Sequence, residues 1–265
     1  AAIWSVNRIG LRLPTRLRLL SSKCKKCEEH VTLDIVTLGE VMLRLTAPPP
    51  QVLEQAAQFE VRAAGSESNV AITASRMGLR AGWISRLPDN PLGRLAVRSI
   101  QSHGVDTTHV VWTSEGRIGI YFIDAGMPPR PTNIIYDRAC SAITMLTVSE
   151  VDWDYVRSTR AFHVSGITPA LSPSLQKVVS HAVNVAKEAG VLTSFDINYR
   201  AKLWSPQEAR AVIEPLLPKI DILRAGLHET ALVLGLRGDA ATVARALQER
   251  YGNRVVAVTD EAGEA

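Results

Sequence analysis

The stretch Val191–Arg210, VLTSFDINYRAKLWSPQEAR, decides the fold. Val191, Leu192, Phe195 and Ile197 form an apolar, β-prone run, and Gly190 stops the element before it. Asp196, Asn198 and Arg200 gather just past the carboxyl end of this predicted strand. Ser205-Pro206-Gln207-Glu208 then supplies an N-cap, a proline at the first helical position and a glutamate three residues after the cap. A strand leading through polar residues into a capped helix is a βα unit. In open parallel sheets, ligands bind outside the carboxyl ends of the strands. An acid, an amide and a guanidinium stand there in this chain.

The same rhythm extends in both directions. Upstream, Ala161–Val164 reads as a strand and Ser172–Ala189 as a helix with Leu175, Val178, Val179, Ala182, Val185 and Ala186 facing inward. Downstream come strands at 220–224 and 255–259, with a helix at 240–251 between them. In the first half, Asp34–Leu38 is a strand, Ser66–Met77 a helix stopped by Gly78, Gly82–Arg86 a strand and Leu92–His103 a helix stopped by Gly104. Residues 41–61 contain Pro48-Pro49-Pro50 and short apolar runs, which suits an edge excursion better than a core helix. Ile118–Ile123 and Thr132–Tyr136 read as two strands around a proline-rich turn. The predicted fold class is α/β: a three-layer α/β/α sheet carrying a small β excursion assembled from two separate segments.

The 265 residues suffice for one large α/β domain or two small ones, and 46% hydrophobic residues provide for a sizeable core. No apolar run is long enough to span a bilayer. The formal charge of +4 belongs to the N-terminal arm: residues 1–27 hold seven basic residues and no acid. The remainder carries 23 basic against 26 acidic residues, which argues against a nucleic-acid partner. The arm reads either as an organellar targeting segment or as a disordered or upstream tail. Three cysteines fit a reducing compartment, and a cytoplasmic location is expected. Cys24, Cys27 and His30 have zinc-like spacing but lack a fourth ligand, so they are read as incidental.

Taken singly, the motifs have ordinary structural readings. Ala64–Asn69 is a glycine turn opening a helix, whose free N–H groups suit an anion or hydroxyl. Arg86–Gly93 is a turn in which Gly93 allows a helix to pack closely on the sheet. Asp137 and Arg138 read as a solvated pair at a strand end, and His163 as a hydrogen-bonded core histidine. Glu229 is either a magnesium ligand acting through water or a helix-start glutamate. There is no GxxxxGK[ST] and no GxGxxG after the first strand, which removes the Walker loop and the dinucleotide fingerprint.

Together these segments resemble the ribokinase-like (PfkB) sugar kinases, and within them the branch acting on 2-keto-3-deoxygluconate. The resemblance covers about Leu33–Gly263. Phe162–Ser172 and Asp196–Arg200 with Leu203–Pro206 are its most specific pieces. Gly65–Asn69, Pro88–Gly93, Ile120–Phe122 and Tyr136–Arg138 support it in the family's order. It implies a ribokinase-like domain over residues 33–265, a β lid from about 41–62 and 118–138, and a separate basic extension at 1–32. It also implies ATP- and magnesium-dependent phosphorylation of a primary hydroxyl on a small sugar acid, and a homodimer formed through the lid. Fructokinase- or ribokinase-type specificity and an inactive sugar-binding homologue are the alternatives.

Carried over, Gly65 and Asn69 hold sugar hydroxyls, Tyr121 and Ile123 line the substrate from the lid, and Arg138 meets the sugar carboxylate. Asn198, Tyr199, Thr259 and Gly263 lie toward the nucleotide, Arg200 touches both substrates and Glu229 serves the metal. The family's GAGD segment, with its anion hole and general-base aspartate, is not reached by Ala265. The chain as written is therefore expected to be a very poor kinase of marginal stability, the result of an incomplete gene model or a fragment. Ala64 replaces a second glycine, Gly226 a polar residue, and the turn near Gly263 is one residue short.

Overall fold

The computed structural model describes residues 32–126 and 129–260. The basic arm with Cys24, Cys27 and His30, and Gly263, lie outside the described residues.

Eleven strands alternate with eight helices among these residues. The strands are β1 (Ile35–Leu38), β2 (Met42–Thr46), β3 (Glu60–Ala64), β4 (Ala81–Pro88), β5 (Val110–Thr113), β6 (Gly119–Asp124), β7 (Asn133–Asp137), β8 (Ala161–Ser165), β9 (Leu192–Asp196), β10 (Ile222–Gly226) and β11 (Val255–Thr259). The helices are α1 (Ser66–Arg76), α2 (Pro91–Gln101), α3 (Trp153–Arg157), α4 (Ile167–Ala170), α5 (Pro173–Glu188), α6 (Pro206–Ile213), α7 (Leu227–Val233) and α8 (Ala240–Tyr251).

Seven strands form a wholly parallel sheet in the order β11-β10-β9-β8-β1-β4-β5. Chain order runs outward from β1 through β4 to β5, then returns to β8 and runs the other way. The strand order therefore reverses between β1 and β8, and a crevice opens at the carboxyl edge of such a switch point. Alternation of side chains gives each face its own core. One face buries Val36, Leu38, Phe162, Val164, Phe195 and Leu223 under α5 and its neighbours. The other buries Ala81, Trp83 and Leu87 with Ala71 of α1 and Ala96, Val97 and Ile100 of α2. Burying a side chain of this size stabilises by roughly 1.5–3 kcal/mol, and these two layers fix the sheet.

The capping box read at Ser205 and Glu208 closes the start of α6, while Ser172 caps α5 from outside it and Asn90 caps α2, which begins at Pro91. A Cβ at Gly93 would run into the Pro88 carbonyl, so the glycine permits the close approach of α2 to β4.

The second sheet, β3-β2-β6-β7, is built from the two excursion segments. Residues 42–46 and 60–64 are regular strands, and β2 lies in its interior, parallel to β6 and antiparallel to β3. Val110–Thr113, which carries no period-2 alternation, is a strand at the edge of the main sheet beside β4. β10 begins two residues later than its apolar run predicts. Asp221, ahead of it, accepts hydrogen bonds from the Thr193 amide and hydroxyl at 3.0 Å each and pairs with Lys187. Asp196 is the last residue of β9 and not a residue beyond it.

Candidate active site

The second sheet stands over the carboxyl edge of the main sheet at the switch point, and between them lies a cavity of about 1320 Å³. Gly65, Asn69, Tyr121, Ile123, Arg138, Asn198, Tyr199 and Arg200 all line it. Residues up to 135 positions apart in sequence thus share one chamber.

Each wall has a local cause. Gly65 precedes α1, and a Cβ there would strike the backbone carbonyl of Glu40. The turn therefore lies flat against the end of β1, leaving the first N–H groups of α1 at the cavity. Asn198 has φ +39°, the left-handed region that asparagine tolerates better than most residues. That bend turns its side chain back so that Nδ2 donates to Ser66 Oγ at 3.0 Å, and its own N–H donates to Asp196 Oδ1 at 3.2 Å. The loop after β9 is thereby pinned to the start of α1.

Tyr121 and Tyr136 place their rings 5.6 Å apart on the second-sheet wall. Burial pushes the Tyr121 phenol up against the pull of Arg44, so it remains a neutral donor. Tyr199 is buried, and its hydroxyl donates to the Trp204 carbonyl at 3.0 Å. That hydroxyl braces the loop.

Asp137 and Arg138 do not form a solvated pair. Alternation along β7 sends them apart: Asp137 meets Arg117 outside, at 2.5 and 2.7 Å, while Arg138 turns inward to Glu40. Burial drives the Glu40 carboxyl up and Arg138 pulls it back. The permanently charged guanidinium needs the carboxylate form as its buried counter-charge.

Two acidic residues carry weight that sequence reading missed. Glu40, in the short connection between β1 and β2, reaches Arg138 across 98 positions. Glu67, fully buried in the first turn of α1, accepts from the Ser165 N–H (3.0 Å), the Ser165 hydroxyl (2.7 Å) and the Thr168 hydroxyl (2.8 Å). Burial pushes its carboxyl up, opposed by those hydroxyls. Glu67 was visible in sequence only as an acid in a helix's first turn, which surface helices share. Neither acid had a local signal of its partner.

Thr259 and Glu229 stand outside the cavity lining, at the carboxyl ends of β11 and β10. Arg224 links them, with Nη2 2.9 Å from Thr259 Oγ1, Nη1 3.1 Å from Asp196 Oδ1 and 3.9 Å from Glu229 Oε2. Burial raises both Asp196 and Glu229, and Arg224 opposes this in each. Glu229 Oε2 also accepts the Gly226 N–H at 2.9 Å, the capping role that its helix-start position predicts. Glu229 is poorly placed to coordinate a magnesium ion directly, because its carboxylate faces the Arg224 guanidinium and accepts the Gly226 N–H. His163 Nδ1 lies 2.9 Å from Ser194 Oγ, and burial lowers the ring to about 4. It is a neutral core histidine, as its strand setting predicts.

The chain as a whole has counterparts among known proteins. Residues 32–263 match the pfkB family of carbohydrate kinases. A 2-dehydro-3-deoxygalactonokinase of Haloferax volcanii is 46% identical over 229 residues, covering 86% of this chain and 72% of the relative. A 2-dehydro-3-deoxygluconokinase of Thermoproteus tenax is 34% identical over 83% of this chain and 68% of its own length. The crystal structure of a 2-dehydro-3-deoxygluconokinase from Thermotoga maritima superposes with a TM-score of 0.82 at 37% identity, covering 85% of this chain and 72% of that one. The chain belongs to the pfkB family of carbohydrate kinases.

Proposed function

We propose that this chain carries the sugar site of an ATP-dependent kinase that phosphorylates the primary hydroxyl of a 2-keto-3-deoxy sugar acid, 2-keto-3-deoxygluconate in the first instance. One observation carries the reading: Gly65, Asn69, Tyr121, Arg138 and Arg200 converge on one chamber at the switch point. The similarity to kinases named for the gluconate and galactonate forms supports the same class, and the galactonate form is the second reading because of its 46% relative.

In this reading the turn at Gly65 and Asn69 receives sugar hydroxyls, and Tyr121 and Ile123 close over the sugar from the second sheet as a lid. Arg200 addresses negative charge, and Arg138, held against Glu40, lines the wall toward the sugar carboxylate. Arg200, Asn198 and, farther along the edge, Thr259 lie toward ATP, while Tyr199 supports them through its bond to Trp204. Phosphoryl transfer forms a bond from the sugar oxygen to the terminal phosphorus and breaks the bond to ADP. The protein contributes position and charge, and the lid keeps out water that would compete as acceptor. Magnesium, when it accompanies ATP, neutralises phosphate charge; Glu229 is left with a water-mediated contact at most.

No helix among the described residues is long and apolar enough to cross a membrane. A cytoplasmic location is part of the proposal, supported by the sparse cysteines. A homodimer through the lid is supported by exposed Val61 and Ile135, which share one face of the second sheet, and by the open edges of β3 and β7.

Titration calorimetry with 2-keto-3-deoxygluconate, 2-keto-3-deoxygalactonate, fructose and ribose tests the substrate class. Tighter binding of the keto acids is expected. Equal affinity for the neutral sugars would remove the acidic substrate.

A further inference from the structure

Five charged side chains line the cavity: Glu40, Glu67, Arg138, Arg200 and Lys202. Three of them are already answered within the protein. Glu67 is committed to Ser165 and Thr168, and Glu40 pairs with Arg138. Arg200 makes no ion pair within 4 Å among the described residues, although its charge lowers the nearby Asp196 and Glu229 carboxyls. Lys202 has no carboxylate partner among the described residues. Its Nζ donates to the Ile134 carbonyl at 3.2 Å and lies 5.6 Å from the centre of the Tyr136 ring. An ammonium has three N–H donors, so two remain for a ligand.

These contacts fix where the charge stands. Lys202 belongs to the loop after β9, and Ile134 and Tyr136 to β7, so the ammonium bridges the rim where loop and second sheet meet. Lys202 is exposed, with the face of the Tyr136 ring on one side of its ammonium.

We propose that Lys202 is a specificity-determining residue: at the rim between loop and second sheet it adds a positive charge, uncompensated within the protein, that favours a carboxylate-bearing sugar over a neutral one. This rests on the acidic-sugar reading above. A purely structural clasp between loop and lid would affect every sugar alike, whereas a charge that meets the substrate affects only the anion.

The test is titration calorimetry of the full 265-residue chain with 2-keto-3-deoxygluconate and with fructose, each at low and high salt. Lys202→Met is expected to weaken the acid about tenfold, the scale of a charge-assisted contact in a partly enclosed site, and to flatten its salt dependence. Fructose affinity should stay within about twofold, and Lys202→Arg should recover most of the loss, since these readouts follow the charge and not the loop. An unchanged melting temperature would show that the variant is folded. Full acid affinity in Lys202→Met, or a parallel loss for fructose, overturns the role of Lys202 alone. A wild-type chain that does not prefer the acid overturns the substrate reading, and the proposal with it.

Discussion

Gly65 and Asn198 show how single backbone positions set the chamber. The turn at Gly65 lies against the Glu40 carbonyl with no room for a methyl group, and Asn198 holds a left-handed bend so that its amide reaches Ser66. Both residues place a neighbour more than they act themselves. Gly65→Ala must push the start of α1 away from β1, because the obstructing atom is backbone and has no rotamer to change. The expected cost is about 1–3 kcal/mol of stability, on the scale of other overpacked sites. Sugar affinity should fall tenfold or more, since the displaced N–H groups face the cavity. Urea unfolding together with sugar titration measures both effects. Unchanged values in both would show that β1 and α1 yield more easily than their packing indicates.

At the scale of elements, α1 is docked onto β8 and α4 by Glu67, a carboxylate inside an otherwise apolar and hydroxyl-lined layer. Removing it strands the Ser165 N–H and two hydroxyls away from water. Glu67→Ala should therefore lower unfolding stability by about 3 kcal/mol or more. Glu67→Gln retains an acceptor of the same shape and should lose about 1 kcal/mol. Denaturant midpoints for the two variants check the ordering. This contact also shows what the sequence conceals. β9, α6 and α8 were legible because their signals are local: an apolar run closed by Gly190, a capping box four residues long, Asp239 ahead of an apolar period. Gly65, Asn69, Asn198 and Arg200 were legible as a set through the family resemblance. β5 was not, because its four residues carry no alternation. Glu40, Glu67 and Lys202 were not, because each draws its meaning from a partner 68 to 101 positions away. Long-range pairing of charges leaves no period or cap behind.

For the whole molecule, the buried titratable groups pull stability in opposite directions with pH. Glu67, which has no cationic partner, is raised by burial, so the stability tied to its protonated form is present below its unfolded value of about 4.5 and is lost as pH rises through its folded value. His163 acts the other way. Its ring titrates near 4 in the folded chain and near 6.5 unfolded, so below about 6.5 the unfolded state takes up the proton first. The contribution of His163 is complete above that value and lost progressively down to about pH 4. The two effects oppose each other as pH rises above 4.5, and a melting curve of the wild-type chain alone cannot separate them. A difference measurement does. His163→Asn keeps a hydrogen-bonding group toward Ser194 and removes the titration, leaving the acids untouched. Thermal melting of both proteins across pH 4–7 should give curves that converge as pH falls and separate toward neutrality, the wild-type chain being the more stable above pH 6.5. Parallel curves would mean that His163 is reached by water and charged in the folded chain, contrary to its place between β1 and β9 in the centre of the sheet.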